Sequence, residues 1–263
     1  MDFWGSMEMQ LIDTHCHLYV DAFDADRSEM IERAVEEGVT QLLLPAIDSS
    51  ELEALLALEA AFPETCKAMM GLHPCSVKED VETELALVKT WLDKRPFIAI
   101  GEIGLDYYWD KTFIKEQQEA FRRQVQWSLD YDLPIVIHSR SSVQDCISIL
   151  KEFIGKRPRG IFHCFSDDLA TAHQIMDLGF YMGIGGVVTY KKAELAEVVK
   201  DIPLEWLVLE TDAPYLPPVP FRGKRNESAY IKFVAAKVAE MKRLSIEEIA
   251  SITTQNAKKI FGI

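Results

Sequence analysis

Ile12-Asp13-Thr14-His15-Cys16-His17 is a short apolar run that stops on two histidines one residue apart. Side chains alternate in direction along a strand, so His15 and His17 face the same way and can chelate one ion. The same punctuation recurs along the chain. Ile98-Ala99-Ile100-Gly101-Glu102 stops on a carboxylate, Ile135-Val136-Ile137-His138 and Ile161-Phe162-His163 stop on imidazoles, and Leu207-Val208-Leu209-Glu210-Thr211-Asp212 stops on carboxylates again. In a closed barrel of parallel strands all such ends meet on the one face where these barrels keep their active sites. Five separated runs with this ending read as one metal site assembled from the whole length of the chain.

Working outward, strand-like and helix-like segments alternate without a linker or a shift in composition. Strands are expected at about 11–16, 41–47, 66–72, 97–101, 135–137, 160–162, 180–184 and 206–210. Helices are expected at about 28–37, 49–62, 81–93, 114–129, 143–153, 169–178 and 193–200, with two more, 227–241 and 246–261, closing the chain. Eight strands with intervening helices imply a parallel sheet buried on both faces. The expected fold is α/β, a (β/α)8 TIM barrel of the metal-dependent hydrolase type, and the 263 residues suit its usual size of about 250. An open doubly wound sheet would gather its polar residues at one switch point and carry a Gly-rich phosphate loop, and this sequence does neither. Residues 9–263 are read as a single domain, and residues 1–8 as a leader, disordered or a cloning remnant.

Composition narrows the function classes. The longest apolar stretches fall short of the roughly 20 residues that span a bilayer, and the N-terminus lacks the basic and apolar regions of a signal peptide. A cytoplasmic protein with no membrane association is expected, and a monomer. Five cysteines, Cys16, Cys66, Cys75, Cys146 and Cys164, lie in no paired spacing, which argues against a disulfide framework. Cys16 and Cys164 alternate with histidines and point away from them, as small buried apolar residues. A net charge of −14 opposes avid binding of duplex DNA through its phosphates, though not catalysis at a strand end. No Gly-x-Ser-x-Gly elbow supports serine hydrolysis.

The residue types point to dinuclear chemistry. Glu102 has two oxygens with which to bridge two ions, His138 and His163 supply imidazoles for a second ion, and Asp212, adjacent to the first strand in a closed barrel, can bind the first ion and take a proton from water. Six mixed nitrogen and oxygen ligands suit two divalent ions of the zinc, manganese or magnesium class. Asp13 is read either as orienting a ligand imidazole or as a structural group at the strand end.

Asp13-Thr14-His15-Cys16-His17, Gly71-Leu72-His73-Pro74, Gly101-Glu102-Ile103-Gly104-Leu105-Asp106, His138-Ser139-Arg140, His163-Cys164-Phe165-Ser166 and Glu210-Thr211-Asp212-Ala213-Pro214 together resemble the TatD family of metal-dependent deoxyribonucleases, within the amidohydrolase-type metallohydrolases. The resemblance extends to Arg225-Asn226-Glu227 and Thr254-Gln255-Asn256-Ala257. It implies that His15, His17, Glu102 and Asp212 hold one metal and that Glu102, His138 and His163 hold the other. Where the wider superfamily often bridges its ions with a carbamylated lysine, this chain has Glu102.

Around this set, His73 is read as a donor to a substrate phosphate, which the resemblance supports, or as a cap at its strand–loop junction. Arg140 is a candidate phosphate clamp, because guanidinium forks match phosphate oxygens, or the partner of a carboxylate. The loop Asp106-Tyr107-Tyr108-Trp109 either stacks on a base or packs on itself. Arg222-Gly223-Lys224-Arg225 is expected near the mouth, Lys191-Lys192 on a solvated face, and His173 in a structural position. The expected activity is hydrolysis of DNA phosphodiesters, single-stranded or at strand ends, of the 3′–5′ exonuclease type, or of another phosphodiester. Rival readings are a metal-dependent esterase or deacylase, such as a D-aminoacyl-tRNA deacylase, and a non-catalytic barrel scaffold.

Overall fold

The computed structural model describes residues 9–263, so the expected leader lies outside the described residues. Eight parallel strands alternate with helices as a (β/α)8 barrel: β1 Leu11–Asp13, α1 Arg27–Glu36, β2 Val39–Leu44, α2 Leu52–Ala61, β3 Cys66–Ala68, α3 Val81–Lys94, β4 Ile100–Asp106, α4 Ile114–Asp130, β5 Ile135–Arg140, α5 Val143–Lys151, β6 Gly160–Phe162, α6 Leu169–Asp177, β7 Tyr181–Ile184, α7 Leu195–Asp201, β8 Leu207–Leu209, α8 Ile231–Lys242 and α9 Ile246–Phe261. Regular ladders join β1 to β3 and β4 to β8 in chain order.

Loop backbone closes the two seams between these blocks. Ile98 donates to the Ala68 carbonyl and Met70 to that of Ala99, each at 3.1 Å, which stitches β3 to β4. Thr14 donates to the Leu209 carbonyl at 3.1 Å and Asp212 to that of His15 at 2.9 Å, which joins β8 back to β1.

Strand periodicity then determines what fills the barrel. Ile12, Leu43, Met69, Ala99, Val136, Ile161, Tyr181 and Val208, one from each strand or its immediate extension, form an inner apolar cluster. Ala257, Ile260 and Phe261 of α9 complete that cluster and close the end opposite the C-terminal mouth of the strands. Helix α9 begins at a reciprocal capping box between Ser245 and Glu248 and stops at Gly262, whose φ of 73° is the left-handed cap that glycine adopts readily. Two residues further along the strands, the same inward face carries Gly71, Gly101 and Gly183 beside His138, His163 and Glu210. The layer above the apolar plug is therefore built of glycines and polar side chains.

Strand boundaries differ from expectation at β3, β4 and β5, where they shape the mouth. β4 does not stop at Glu102 but runs on to Asp106, and β5 continues past His138 to Arg140. Ile103 and Leu105 are buried outward against the helices, so the alternation continues beyond the glutamate. Where Ile100 pairs with Ile135 and Ile103 with Ile137, three residues of β4 oppose two of β5, a bulge that re-aims Glu102. β3 ends early, and the freed backbone is taken up across the mouth: Ala46 donates to the Gly101 carbonyl at 2.9 Å and Glu102 donates to that of Ala46 at 3.1 Å. At the other end of the chain, α8 starts at Ile231 rather than near residue 227, because Asn226 and Glu227 are tied to other elements.

Truncating the plug tests this layering. Ile260→Ala is expected to lower unfolding free energy by about 2–5 kcal/mol in denaturant titration. Divalent-metal affinity should be retained, since the site lies a layer above.

Candidate metal centre

The six strand-end residues come together at one mouth. His15, His17, Glu102 and His163 are buried, while Asp212 and His138 reach solvent at one edge. Glu102 is the hub. Its Oε2 lies 3.2 Å from His15 Nε2 and 3.5 Å from His17 Nε2. Its Oε1 lies 2.9 Å from His138 Nδ1, 3.0 Å from His163 Nε2 and 3.4 Å from His73 Nε2. Asp212 Oδ1 sits 3.7 Å and 3.6 Å from the Nε2 atoms of His15 and His17. Ligand-type atoms fall into three overlapping groups: His15 with His17 and Asp212, His15 with Glu102 and His163, and His73 with Glu102 and His138. His15 is thus shared across the division the sequence suggests, and its ring stacks on that of His163 with centroids 3.7 Å apart.

The hydrogen bonds behind the rings decide where their lone pairs point. The Tyr19 hydroxyl donates its single proton to the Pro45 carbonyl at 2.6 Å, so it accepts from His17 Nδ1 at 3.1 Å. That leaves the His17 Nε2 lone pair facing His15 Nε2 across 3.2 Å, a contact that calls for a cation. Asp106 Oδ2 takes His138 Nε2–H at 2.7 Å and leaves His138 Nδ1 as the inward lone pair. Glu210 Oε1 lies 3.3 Å from His163 Nδ1 and accepts the Cys164 amide at 2.6 Å, which turns His163 Nε2 to the centre. His15 Nδ1, His163 Nδ1 and Glu210 Oε2 are buried without a hydrogen-bond partner among the described residues. The convergent imidazole and carboxylate atoms fit divalent-metal coordination.

His73 differs from the other histidines. Its Nδ1 accepts the Cys75 amide at 3.0 Å, so the neutral ring carries its proton on Nε2 and presents a donor to the mouth. The same contact caps the turn at 74–76, so the capping role and the donor role coexist.

Charge within the cluster is balanced by protons. Burial alone would raise the Glu102 carboxyl, but His163, His73 and His15 hold it well below the usual range. Burial pushes His15 down, reinforced by His163. Burial also opposes charge on His163, His73 and His138, yet Glu102 outweighs it at His163 and His73, and hydrogen bonds donated to Asp106 and Glu102 outweigh it at His138, so all three are raised. Burial lifts Asp212 to about 6 despite His163 and His17. Asp212 also adopts a φ of 57°, an uncommon conformation outside glycine that is held by its bonds to His15 and Tyr215.

Other expectations resolve individually. Asp13 touches no imidazole; it accepts from Thr211 Oγ1 and Ser228 Oγ at 2.6 Å each and from the Thr211 amide at 3.0 Å, so it fastens β1 to the Asp212 segment. Arg140 lies apart from the cluster, exposed, its guanidinium 3.9 Å over the Tyr108 ring. Arg225 is consumed in a bidentate pair with Asp26, so only part of its basic cluster remains available. Lys191 and Lys192 are exposed, as is His173 on α6. Cys16 is buried against the outer layer, whereas Cys164 is only partly covered. The sequence reading missed Tyr19, Asp106 and Glu210 as orienting residues. Each carries the period-two signal, two residues beyond His17, Gly104 and Val208 respectively; Asp106 and Glu210 lie inside the motifs above, and Tyr19 lies outside them.

A parallel barrel with one buried constellation of imidazoles and carboxylates at its C-terminal mouth defines a metal-dependent hydrolase. The sequence profile of the family described as TatD related DNase matches residues 12–262, and the chain belongs to that family. It is 42% identical over 254 residues to YabD of Bacillus subtilis, described as an uncharacterized metal-dependent hydrolase, spanning 96% of this chain and 99% of that protein. It is 33% identical to YcfH of Escherichia coli, of like description, over 97% of each chain. Among solved structures, the E. coli TatD homologue YjjV superposes with a TM-score of 0.91 at 32% identity, covering 98% of this chain and all of that one. An uncharacterized amidohydrolase from Saccharomyces cerevisiae shares the fold at a TM-score of 0.85 and 21% identity. No described helix is long and apolar enough to cross a membrane.

Two measurements follow. Glu210→Gln should weaken metal binding about 10- to 100-fold in chelator competition. Gly183→Ala should do the same, since its Cβ would sit 2.1 Å from Glu210 Oε2. Cations must also displace the protons held on His163 and His138 and, below about 6, the proton on Asp212. Metal affinity should therefore fall about tenfold or more between pH 8 and pH 5.5; a flat profile would contradict this charge balance.

Proposed function

We propose that the protein hydrolyses phosphodiester bonds in DNA, at single-stranded regions or strand ends, in the manner of a 3′–5′ exonuclease. His15, His17, Glu102 and Asp212 hold one divalent ion, and Glu102, His138 and His163 hold a second. The observation that carries this reading is the division of the Glu102 carboxylate, with Oε2 turned to one imidazole set and Oε1 to the other. Family membership with DNases supports the substrate class.

Two divalent ions of the zinc, manganese or magnesium class supply Lewis acidity, activating water near neutral pH and neutralising phosphate charge. The remaining work belongs to side chains. Asp212, lifted to about 6 and open to solvent at one edge, takes the proton of the attacking water at Oδ2, the oxygen not turned to His15 and His17. His73 donates from Nε2 to a non-bridging phosphate oxygen, where negative charge builds in the transition state. Arg140, above the mouth, contacts a neighbouring phosphate. Asp106 and Glu210 keep His138 and His163 in register, so the donors need little reorganisation during the reaction.

Asp212→Asn and Glu102→Gln should each abolish turnover while circular dichroism and unfolding stay near wild type; full activity in either metal-loaded variant would remove its assigned role. The substrate class is tested by a panel of single-stranded DNA, duplex DNA, D-aminoacyl-tRNA and small esters, run with and without chelator. Chelator-sensitive release of 5′-mononucleotides from single strands is expected, and no DNA cleavage with any divalent metal would refute the reading.

A further inference from the structure

The mouth carries two exposed aromatic rims that the hydrolytic step does not use. Trp109 and Tyr108, after β4, are 68% and 55% exposed, and Tyr215, after β8, is 53% exposed. Strands four apart in an eight-membered ring lie on opposite sides, so these rims face one another across the metal centre. Large exposed aromatics grouped beside a site mark a binding surface more often than chance packing.

Both rims are anchored to segments that bear metal-centre residues. Asp106 Oδ1 accepts the amides of Tyr108 and Trp109 at 2.9 and 3.1 Å, while its Oδ2 holds His138 Nε2. Opposite, Asn226 Nδ2 donates to the carbonyls of Thr211 and Tyr215 at 2.8 and 2.7 Å, and the Tyr215 amide donates to the Asp212 carbonyl at 2.8 Å. The Tyr215 ring stands 6.1 Å from that of His17. The backbone bearing each ring is therefore tied to the segments that carry the metal-centre residues.

Charge follows the same arrangement. Most arginines of this acidic chain pair with carboxylates; Arg140, Arg157, Arg222 and Arg243 have no ion-pair partner among the described residues, and of these Arg140 and Arg222 lie over aromatic rings. Arg140 lies 3.9 Å over Tyr108 and 5.2 Å over Trp109, and Arg222 lies 3.9 Å over Tyr190. Exposed rings with unpaired guanidiniums beside them suit a strand of unstacked bases on a phosphate backbone, because every base offers a π-face and every phosphate takes a guanidinium fork. A paired duplex keeps its bases inside and cannot use the rings.

We propose that Trp109 and Tyr108 on one rim and Tyr215 on the other stack unpaired bases on either side of the scissile phosphate, with Arg140 and Arg222 on the flanking backbone. The mouth is thereby specific for a single strand. This inference rests on the phosphodiesterase reading of the metal centre and names the residues that would select its substrate.

The test is fluorescence anisotropy with the metal-loaded, full-length protein and labelled phosphorothioate ten-mers, one of thymidines and one abasic, alongside cleavage assays on normal DNA. Wild type should prefer the thymidine strand about tenfold or more. Trp109→Ala and Tyr215→Ala should each shrink that preference several-fold, and Trp109→Phe, which keeps a ring, should restore most of it. Ile154→Ala, an exposed apolar change beyond the end of α5, should keep the wild-type ratio. If wild type cleaves DNA yet binds both strands equally, or if the alanine variants keep the full preference, the stacking proposal is overturned and the nuclease reading stands. If wild type neither cleaves nor binds either strand, the nuclease reading itself falls.

Discussion

A buried carboxylate shared by two groups of imidazoles is the constraint on which the rest of this structure depends. Glu102 is 2% exposed, and a carboxylate removed from water to that degree is costly unless positive charge meets it. Here the charge comes from both sides, because each oxygen faces a different set of histidines. Without a cation, protons raised onto His163 and His138 provide that charge. Divalent ions would take over the same task with far stronger fields, and this links metal binding to pH.

Holding Glu102 in place accounts for several irregularities of the barrel. β3 stops early, β4 bulges, and the backbone at Gly101–Glu102 pairs with Ala46 across the missing length of β3. Glycines at 71, 101 and 183 keep the inward layer open where an ordinary barrel would place branched side chains, and Gly183 leaves the space that the Glu210 carboxylate fills. The apolar layer below, closed by α9, supplies the stability that this polar layer does not. Asp13 applies the same economy at the β8–β1 seam, where a fully buried carboxylate, raised to about 7 by burial and partly offset by its hydroxyl donors, fixes Asp212 against His15.

Much of this was legible in the sequence. Alternating apolar runs and amphipathic segments specify the barrel, because β and α periodicities differ, and β6 and α9 fall at their expected limits. The six ligand-type residues were legible because each closes an apolar run. What was not legible depends on contacts between distant segments. The extension of β4 to Asp106 hides behind glycines at 101 and 104, which blur the alternation. The proton on His73 is set by the Cys75 amide, and that on His17 by a tyrosine whose own proton goes to Pro45, so neither tautomer can be read from spacing. The position of Arg140 over Tyr108, rather than against a carboxylate, likewise depends on how two loops meet.

The central claim is that Glu102 joins two ions into one centre. Electron paramagnetic resonance of the manganese-reconstituted protein tests it most directly. A bridging carboxylate predicts a spin-coupled dinuclear spectrum at two manganese ions per chain, collapsing to isolated-ion signals in Glu102→Gln. Isolated-ion signals in the wild type at full metal loading would contradict it.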